Sequence, residues 1–330
     1  MVRKEDYNPW FPRMPRCSVI LVTYNSGTQI KACLSALAPQ DCEIIVVDNA
    51  SQDDTIARVR SLADELPLQL IAISRNLGFA GGVNQGVRAA SSEVLLILNP
   101  DAVAEPGAID AMVACMATTG AGAAGGALLE IDGQPARGFT FRRIPTLTSL
   151  MFEVLLVNQV WPDNPVNRHY RCLDADYSKQ QQIEQPAGAC LAVTRKAWES
   201  AGGMDSAFYP VWFEDVDYCQ RLLEAGAKIV YCPGARFRHS GAHSVGQMEF
   251  CDQQTFWYQN MVRYATKHFS GAKVGILRLG IFAGMGLRML ASLLGAGPKN
   301  LPAGEPRRSY ARVAMWAIGR GGQPGDKPTT

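Results

Sequence analysis

The chain lacks most of the signatures that would name an activity at once. Among its 330 residues there are only four histidines and no HExxH pair, which excludes a zinc-protease helix. Its 32 Lys and Arg against 30 Asp and Glu leave a formal net charge of +2, with no long basic run and no zinc-finger spacing. Nucleic-acid recognition as the main activity is set aside on that ground. No Walker lysine is present, so a P-loop is excluded. Nine cysteines occur without a single CxxC pair, which fits a reducing compartment where thiols serve as small core hydrophobes. The first sixteen residues, MVRKEDYNPWFPRMPR, lack the apolar stretch of a signal peptide and read as an arm. One G-x-G-x-x-G match, Gly120 to Gly125, follows a helix-like stretch and leads into a strand-like run. No acid stands about twenty positions later to hold a ribose, so an oxidoreductase reading has nothing else behind it.

What is present is an alternation. Composition, 47% hydrophobic and 19% charged, is enough for one large domain or two modest ones. Apolar β-rich runs at 17–23, 43–48, 68–73 and 94–98 are separated by helix-like stretches at 28–37, 53–63 and 79–90. Strands apolar on both faces and spaced by helices predict an α/β fold with a parallel sheet, binding ligands at the carboxyl ends of its strands. Polar residues gather there: Thr23, Tyr24 and Asn25, then Asp48 and Asn49, then Arg75 and Asn76, then Asp101. Residues 131–138 read as a hairpin connection and 160–185 as loop-rich, while 186–194 read as a strand. A helix over 214–225 ends at Gly226, and KIVYC is one more strand.

Three groups of side chains carry chemistry. Asp101 sits two residues beyond the aliphatic run VLLIL, with Asn99 able to cap the turn. Glu214 and Asp215 open a helix behind FYPVWF; apolar neighbours raise a carboxylate's pKa and make it a better base near neutrality. Asp217 belongs to the same acidic cluster, although acids in a first turn also serve the helix dipole. His239 and His243 follow a strand, and one imidazole with one carboxylate suits Mn2+ or Mg2+ bridging a diphosphate. In RNLGFAGGVNQG the glycines, Gly78 among them, allow close backbone approach, and Arg75 can meet phosphate.

SVILVTYNS (18–26), EIIVVDNASQDDT (43–55), RNLGFAGGVNQG (75–86), LLILNPD (95–101), GGMDSAFYPVWFEDVDYCQRLLEAGAKIVYCP (202–233) and HSGAHS (239–244) together resemble the family 2 glycosyltransferases of GT-A fold, within them the bacterial rhamnosyltransferase-like group. The resemblance implies a Rossmann-like central mixed sheet and a nucleotide-sugar donor. Thr23, Tyr24 and Asp48 would cradle base and ribose, Asn76 would lie near the sugar diphosphate, and Asn25, Arg75, Gly78 and Asn99 would complete the donor set. Asp101 resembles the last acid of the family's D-x-D metal site, with Asn99 in place of the first, and His239 its metal-binding histidine. Asp215 resembles the catalytic base, Glu214 being the alternative; Trp212 and Tyr209 are candidates to stack on acceptor sugars.

The resemblance implies an inverting hexosyltransferase using Mg2+ or Mn2+. It would move L-rhamnose from dTDP-rhamnose to a glycan or lipid-linked glycan in polysaccharide and cell-wall synthesis, in the cytoplasm at the inner membrane face. A UDP-hexose or UDP-galactofuranose donor is the near rival, a catalytically silent sugar-nucleotide-binding module the distant one. The expected organisation is an arm (1–16), a GT-A domain (17–250), a helical extension (251–297) and a flexible tail (298–330). Within the extension, 272–295 is apolar but interrupted by Arg278 and Arg288. It suits an amphipathic helix in a membrane surface and equally a helix packed on the core.

Overall fold

A computed structural model describes residues 16–63, 66–239, 241, 246, 248–296, 298, 301 and 304–320. The amino-terminal arm up to residue 15, His243 and the last ten residues lie outside these. Four parallel strands form one half of the main sheet in the order β3 (Leu68–Ala72), β2 (Glu43–Asp48), β1 (Ser18–Thr23) and β4 (Val94–Leu98). Every residue of β1 is buried, as expected of a strand covered on both faces. Helices α1 (Gly27–Leu37) and α2 (Thr55–Ala63) cover one face and α3 (Gly78–Ala89) the other. The glycines of RNLGFAGGVNQG serve this packing. A Cβ at Gly86 would fall 2.4 Å from Ile20 Cγ2, so α3 lies against β1 only because the side chain is missing.

The other half of the sheet is mixed. β10 (Cys190–Thr194) runs antiparallel to both β4 and β6 (Ala123–Leu129), and β11 (Ile229–His239) lies parallel to β6. β5 (Ala102–Ala104) and β8 (Gln181–Gln182) add antiparallel edges to β11. A second sheet of two short strands, β7 (Phe141–Arg142) and β9 (Gln185–Pro186), sits over the cleft. The 186–194 run is therefore not one strand. It breaks at Ala187–Ala189, where the Cys190 amide turns back to donate to the Ala187 carbonyl at 3.0 Å. Residues 131–138 do form a tight return, closed by a bridge between Leu129 and Pro135.

Helices α4 (Ala108–Thr119), α5 (Leu147–Val154), α6 (Val157–Val160), α7 (Pro165–Tyr170), α8 (Arg195–Ala201) and α9 (Glu214–Glu224) complete the body. So α7 occupies part of the stretch expected to be loop, and α6 ends where that stretch begins. The expectation that every cysteine is a free thiol fails, since Cys115 on α4 and Cys232 on β11 form a disulfide. Both lie in elements packed side by side, a pairing that spacing alone cannot reveal.

Three helices follow: α10 (Phe250–His268), α11 (Gly271–Leu293) and α12 (Gly304–Ala317). They share an apolar cluster with α5, built on Met261, Tyr264, Leu277, Ile281, Met285, Tyr310 and Val313. The region expected to be a flexible tail from 298 thus holds a packed helix. Its proline, Pro306, falls in the first turn, where the missing N–H removes no intrahelical bond.

Candidate active site

The carboxyl ends of the central strands open onto a cleft of about 420 Å³. Its first wall comes from the sheet register. β4 ends at Leu98; the Asn99 amide donates to the Ala189 carbonyl at 3.0 Å, and the Ala102 amide closes a turn on the Asn99 carbonyl at 3.1 Å. β5 then pairs with the end of β11, Ala102 opposite His239. β11 reaches that point through an irregularity between Cys232 and Arg236, which re-aims the strand. His239 is thus the last residue of a strand rather than part of a following loop. The outcome is an Asp101 Oδ1 to His239 Nε2 separation of 3.3 Å, with both side chains nearly buried. His239 Nε2 has no hydrogen-bond partner. Phe139 stacks on the imidazole at 5.3 Å with its plane tilted by 13°.

The second wall is the start of α9. Trp212 and Phe213 enter it with φ of 78° and 70°, a left-handed pair of bulky residues in a region that disfavours both. Glu214 and Asp215 follow immediately, and both line the cleft. Asp215 Oδ2 accepts from the Gly188 amide at 3.0 Å and from Gln185 Nε2 at 3.1 Å; Oδ1 accepts from the Val216 amide at 2.8 Å. Burial still pushes its carboxyl above the usual range, opposed by those amides and by the Arg142 charge. Glu214 is 4% exposed, its Oε2 has no partner, and burial reinforced by Asp215 holds its carboxyl well above the ordinary value.

Asn99, Asp101, Trp212, Glu214, Asp215 and His239 therefore share one cleft. The other expected donor residues do not line it; they form a hydrogen-bonded rim beside it. Thr23 Oγ1 donates to Asp48 Oδ1 at 2.9 Å, and Asp48 also accepts from the Ser51 amide and hydroxyl. Asn25 takes a positive φ and accepts from the Gln52 amide at 2.8 Å. Asn76 accepts from the Gly78 amide at 2.8 Å, while the Gly78 carbonyl accepts from Asn49 at 2.9 Å. Tyr24 is half-buried and Arg75 exposed. Tyr209, part exposed, packs edge-on to Phe256 outside the cleft lining, and its partial burial, with Tyr24 adding to it, raises its phenol's pKa.

Residues 18–174 match the glycosyl transferase family 2 model. The match takes in just under half of the chain, from β1 through α7. The enzyme is a glycosyltransferase, and its sheet is the GT-A arrangement. It is 29% identical over 249 residues to the N-acetylglucosaminyl-diphospho-decaprenol L-rhamnosyltransferase of Mycobacterium tuberculosis, covering 69% of this chain and 77% of that one. It is 32% identical over 148 residues to the succinoglycan biosynthesis protein ExoO of Rhizobium meliloti, 42% of each chain. In fold it is similar to the Pyrobaculum calidifontis mannosyltransferase solved with GDP-Man and Mn2+, at TM-score 0.51 and 18% identity, covering 95% of this chain and 87% of that one. GalNAc-T7 with UDP, GalNAc and Mn2+ gives a TM-score of 0.55 at 14% identity, covering 93% and 56%.

The family match ends before α9, so the acidic pair of this glycosyltransferase and His239 lie beyond it. Four residues of the site escaped the sequence. Gln185, at the end of the stretch read as loop-rich, and Gly188, in the break of the 186–194 run, hold Asp215, and Phe139 and Arg142 lie in a stretch of weak periodicity. Arg142 Nε is fixed by the Gly138 carbonyl at 2.7 Å. Asp217, grouped with Asp215 in the sequence, takes no part in the cleft. It is fully buried and ion-paired with Arg221 at 2.9 Å, Lys267 at 2.7 Å and His268 at 2.8 Å.

Proposed function

We propose that this glycosyltransferase moves L-rhamnose from dTDP-rhamnose, with inversion, to a hydroxyl of a lipid-linked or polysaccharide acceptor at the inner face of the cytoplasmic membrane. The observation that carries the reading is a single cleft with the Asp101–His239 pair on one wall and the Glu214–Asp215 pair on another. The choice of sugar and of a lipid-linked acceptor is supported by the likeness to the mycobacterial rhamnosyltransferase.

A divalent cation, Mg2+ or Mn2+, fits the first wall. A carboxylate oxygen and an unpartnered imidazole nitrogen face each other there. Among the described residues no group of three acidic, histidine or cysteine ligands is present, which leaves positions for diphosphate oxygens. Asp101 and His239 would hold the ion. When bound, it supplies positive charge against the diphosphate as the bond to the sugar breaks.

The remaining steps belong to the chain's own groups. The rim of Thr23, Tyr24, Asn25, Asp48, Arg75, Asn76 and Gly78, with Asn99, orients the nucleotide sugar. Asp215, its pKa raised by burial, takes the proton of the acceptor hydroxyl as that oxygen attacks the anomeric carbon from the face opposite the diphosphate. The bonding pair of the departing linkage stays on the diphosphate oxygen. Trp212 offers its ring to the acceptor sugar, with Tyr209 at the outer edge.

The test is incubation of the purified enzyme with Mn2+ or Mg2+ and a panel of nucleotide sugars, following release of nucleoside diphosphate. Preferential consumption of dTDP-rhamnose is expected. Consumption of a UDP-sugar instead would transfer the chemistry to that donor, and nucleotide binding without any turnover would leave only a binding module.

A further inference from the structure

Helix α11 presents two unlike sides. One is buried on α5, α10 and α12 through Leu277, Ile281 and Met285. The other shows Ile276, Leu279, Phe282, Leu287, Leu290 and Leu293 to solvent, Leu279 and Leu293 each 63% exposed and Leu290 54%. Ile276, Leu279, Leu287 and Leu290 recur at helical spacing, so they form a continuous stripe. The two arginines that interrupt the apolar sequence are not on this stripe. Arg278 Nη1 donates to the Ala317 carbonyl at 3.1 Å and lies over the Trp316 ring; Arg288 Nη1 donates to the Val154 carbonyl at 2.6 Å. Each thus neutralises the carboxyl end of a neighbouring helix, α12 or α5. The outward stripe is left without charge. A contiguous exposed surface of this kind on a folded body marks a docking site.

Charge identifies what docks. Between residues 263 and 320 there are ten Lys and Arg and one acid, Glu305, in a chain whose net charge is only +2. Arg308, Arg312 and Arg320 are exposed on or just beyond α12, which packs on α11. A second copy would set one strongly positive region against another, whereas an anionic lipid surface complements both the charge and the apolar stripe. α11 is long and apolar enough to cross a bilayer by length and composition. Crossing would require stripping its inner side from α5, α10 and α12 and exposing Arg278 and Arg288 to hydrocarbon.

We infer that the outward stripe of α11, together with the exposed arginines of the adjoining α12, meets the surface of an anionic bilayer and seats the enzyme on it. α11 packs directly on α5, whose Ser149, Leu150 and Glu153 line the cleft, so this seat sets the cleft's acceptor side beside the lipid. The surface stands independently of which sugar is transferred, because its binding is read without substrate.

The experiment is co-sedimentation of the full chain with phosphatidylcholine vesicles containing or lacking phosphatidylglycerol. The protein is expected to pellet with the anionic vesicles and to be released as salt rises. Leu279→Ser and Leu290→Ser should each weaken partitioning about tenfold, with an unchanged circular dichroism spectrum. The paired change Arg308→Glu, Arg312→Glu should weaken binding to anionic vesicles only. Wild-type protein staying in the supernatant, or Leu→Ser variants partitioning like wild type, would overturn the inference. So would a dimer in solution that Leu279→Ser dissociates, which would assign the stripe to a second copy.

Discussion

Asp215 and Asp217 stand within one turn of α9 and differ in everything around them. Asp215 faces a cleft, held by two backbone amides and Gln185, and burial raises its pKa without giving it a cation in contact. Asp217 faces inward to Arg221, Lys267 and His268, the last two from the end of α10. A carboxylate with two cations and an imidazole around it is a fastener. One denied a close counter-charge beside a cavity is available to take a proton. Sequence proximity says nothing about which is which; the direction of the side chain decides.

The largest effect that would break this contrast is on turnover. Asp215→Asn is expected to lower the transfer rate by roughly a thousandfold while donor affinity by calorimetry stays near wild type. Because the base must be unprotonated, the wild-type rate should climb with pH through a value above the ordinary aspartate range, and that acid limb should vanish in Asp215→Asn. A variant keeping a tenth of the rate would remove Asp215 from the role.

Asp217→Ala should do the reverse. Leaving its cations without their buried partner costs about 3 kcal/mol, a fall in Tm of roughly 6 °C, with little change in donor affinity. A smaller effect tests the first wall: Asp101→Ala should weaken metal-dependent donor binding roughly tenfold or more, and EDTA should do the same to wild type. Donor binding indifferent to both would remove the metal from the site.

The smallest effect concerns Glu214. Its raised pKa means the folded protein holds that proton more tightly than the unfolded chain does. Stability therefore falls as pH rises from the ordinary glutamate value toward the raised one. Glu214→Gln removes the penalty, so its Tm should exceed wild type by roughly 2 °C at pH 8 and match it near pH 4. An equal Tm at both pH values would mean that Glu214 is ionised without cost.

Much of this was legible in the residues themselves. The aliphatic runs located the central strands, and an acid placed just past one of them located the sheet edge. What stayed hidden was whatever depends on contacts across the chain. Gln185 reaches Asp215 over thirty positions, and Lys267 reaches Asp217 over fifty. The Cys115–Cys232 link spans 117 residues, and no spacing rule anticipates it. Composition misled at α12, where Pro, Gly and Arg suggested disorder although Tyr310, Val313 and Ala314 pack at one-sided intervals. For α11 it left two readings open: core packing describes the buried side, and the membrane inference rests on the exposed one.

The break between β9 and β10 has a steric corollary. A methyl on Gly188 would stand 3.0 Å from Asp215 Cβ and 3.3 Å from Oδ2. The middle of the tripeptide between the two strands works as an aperture, sized for a bare backbone beside the acid. An alanine there would leave the ladder intact and press on the acid, and, with Asp215 as the proposed base, is expected to slow transfer through that crowding.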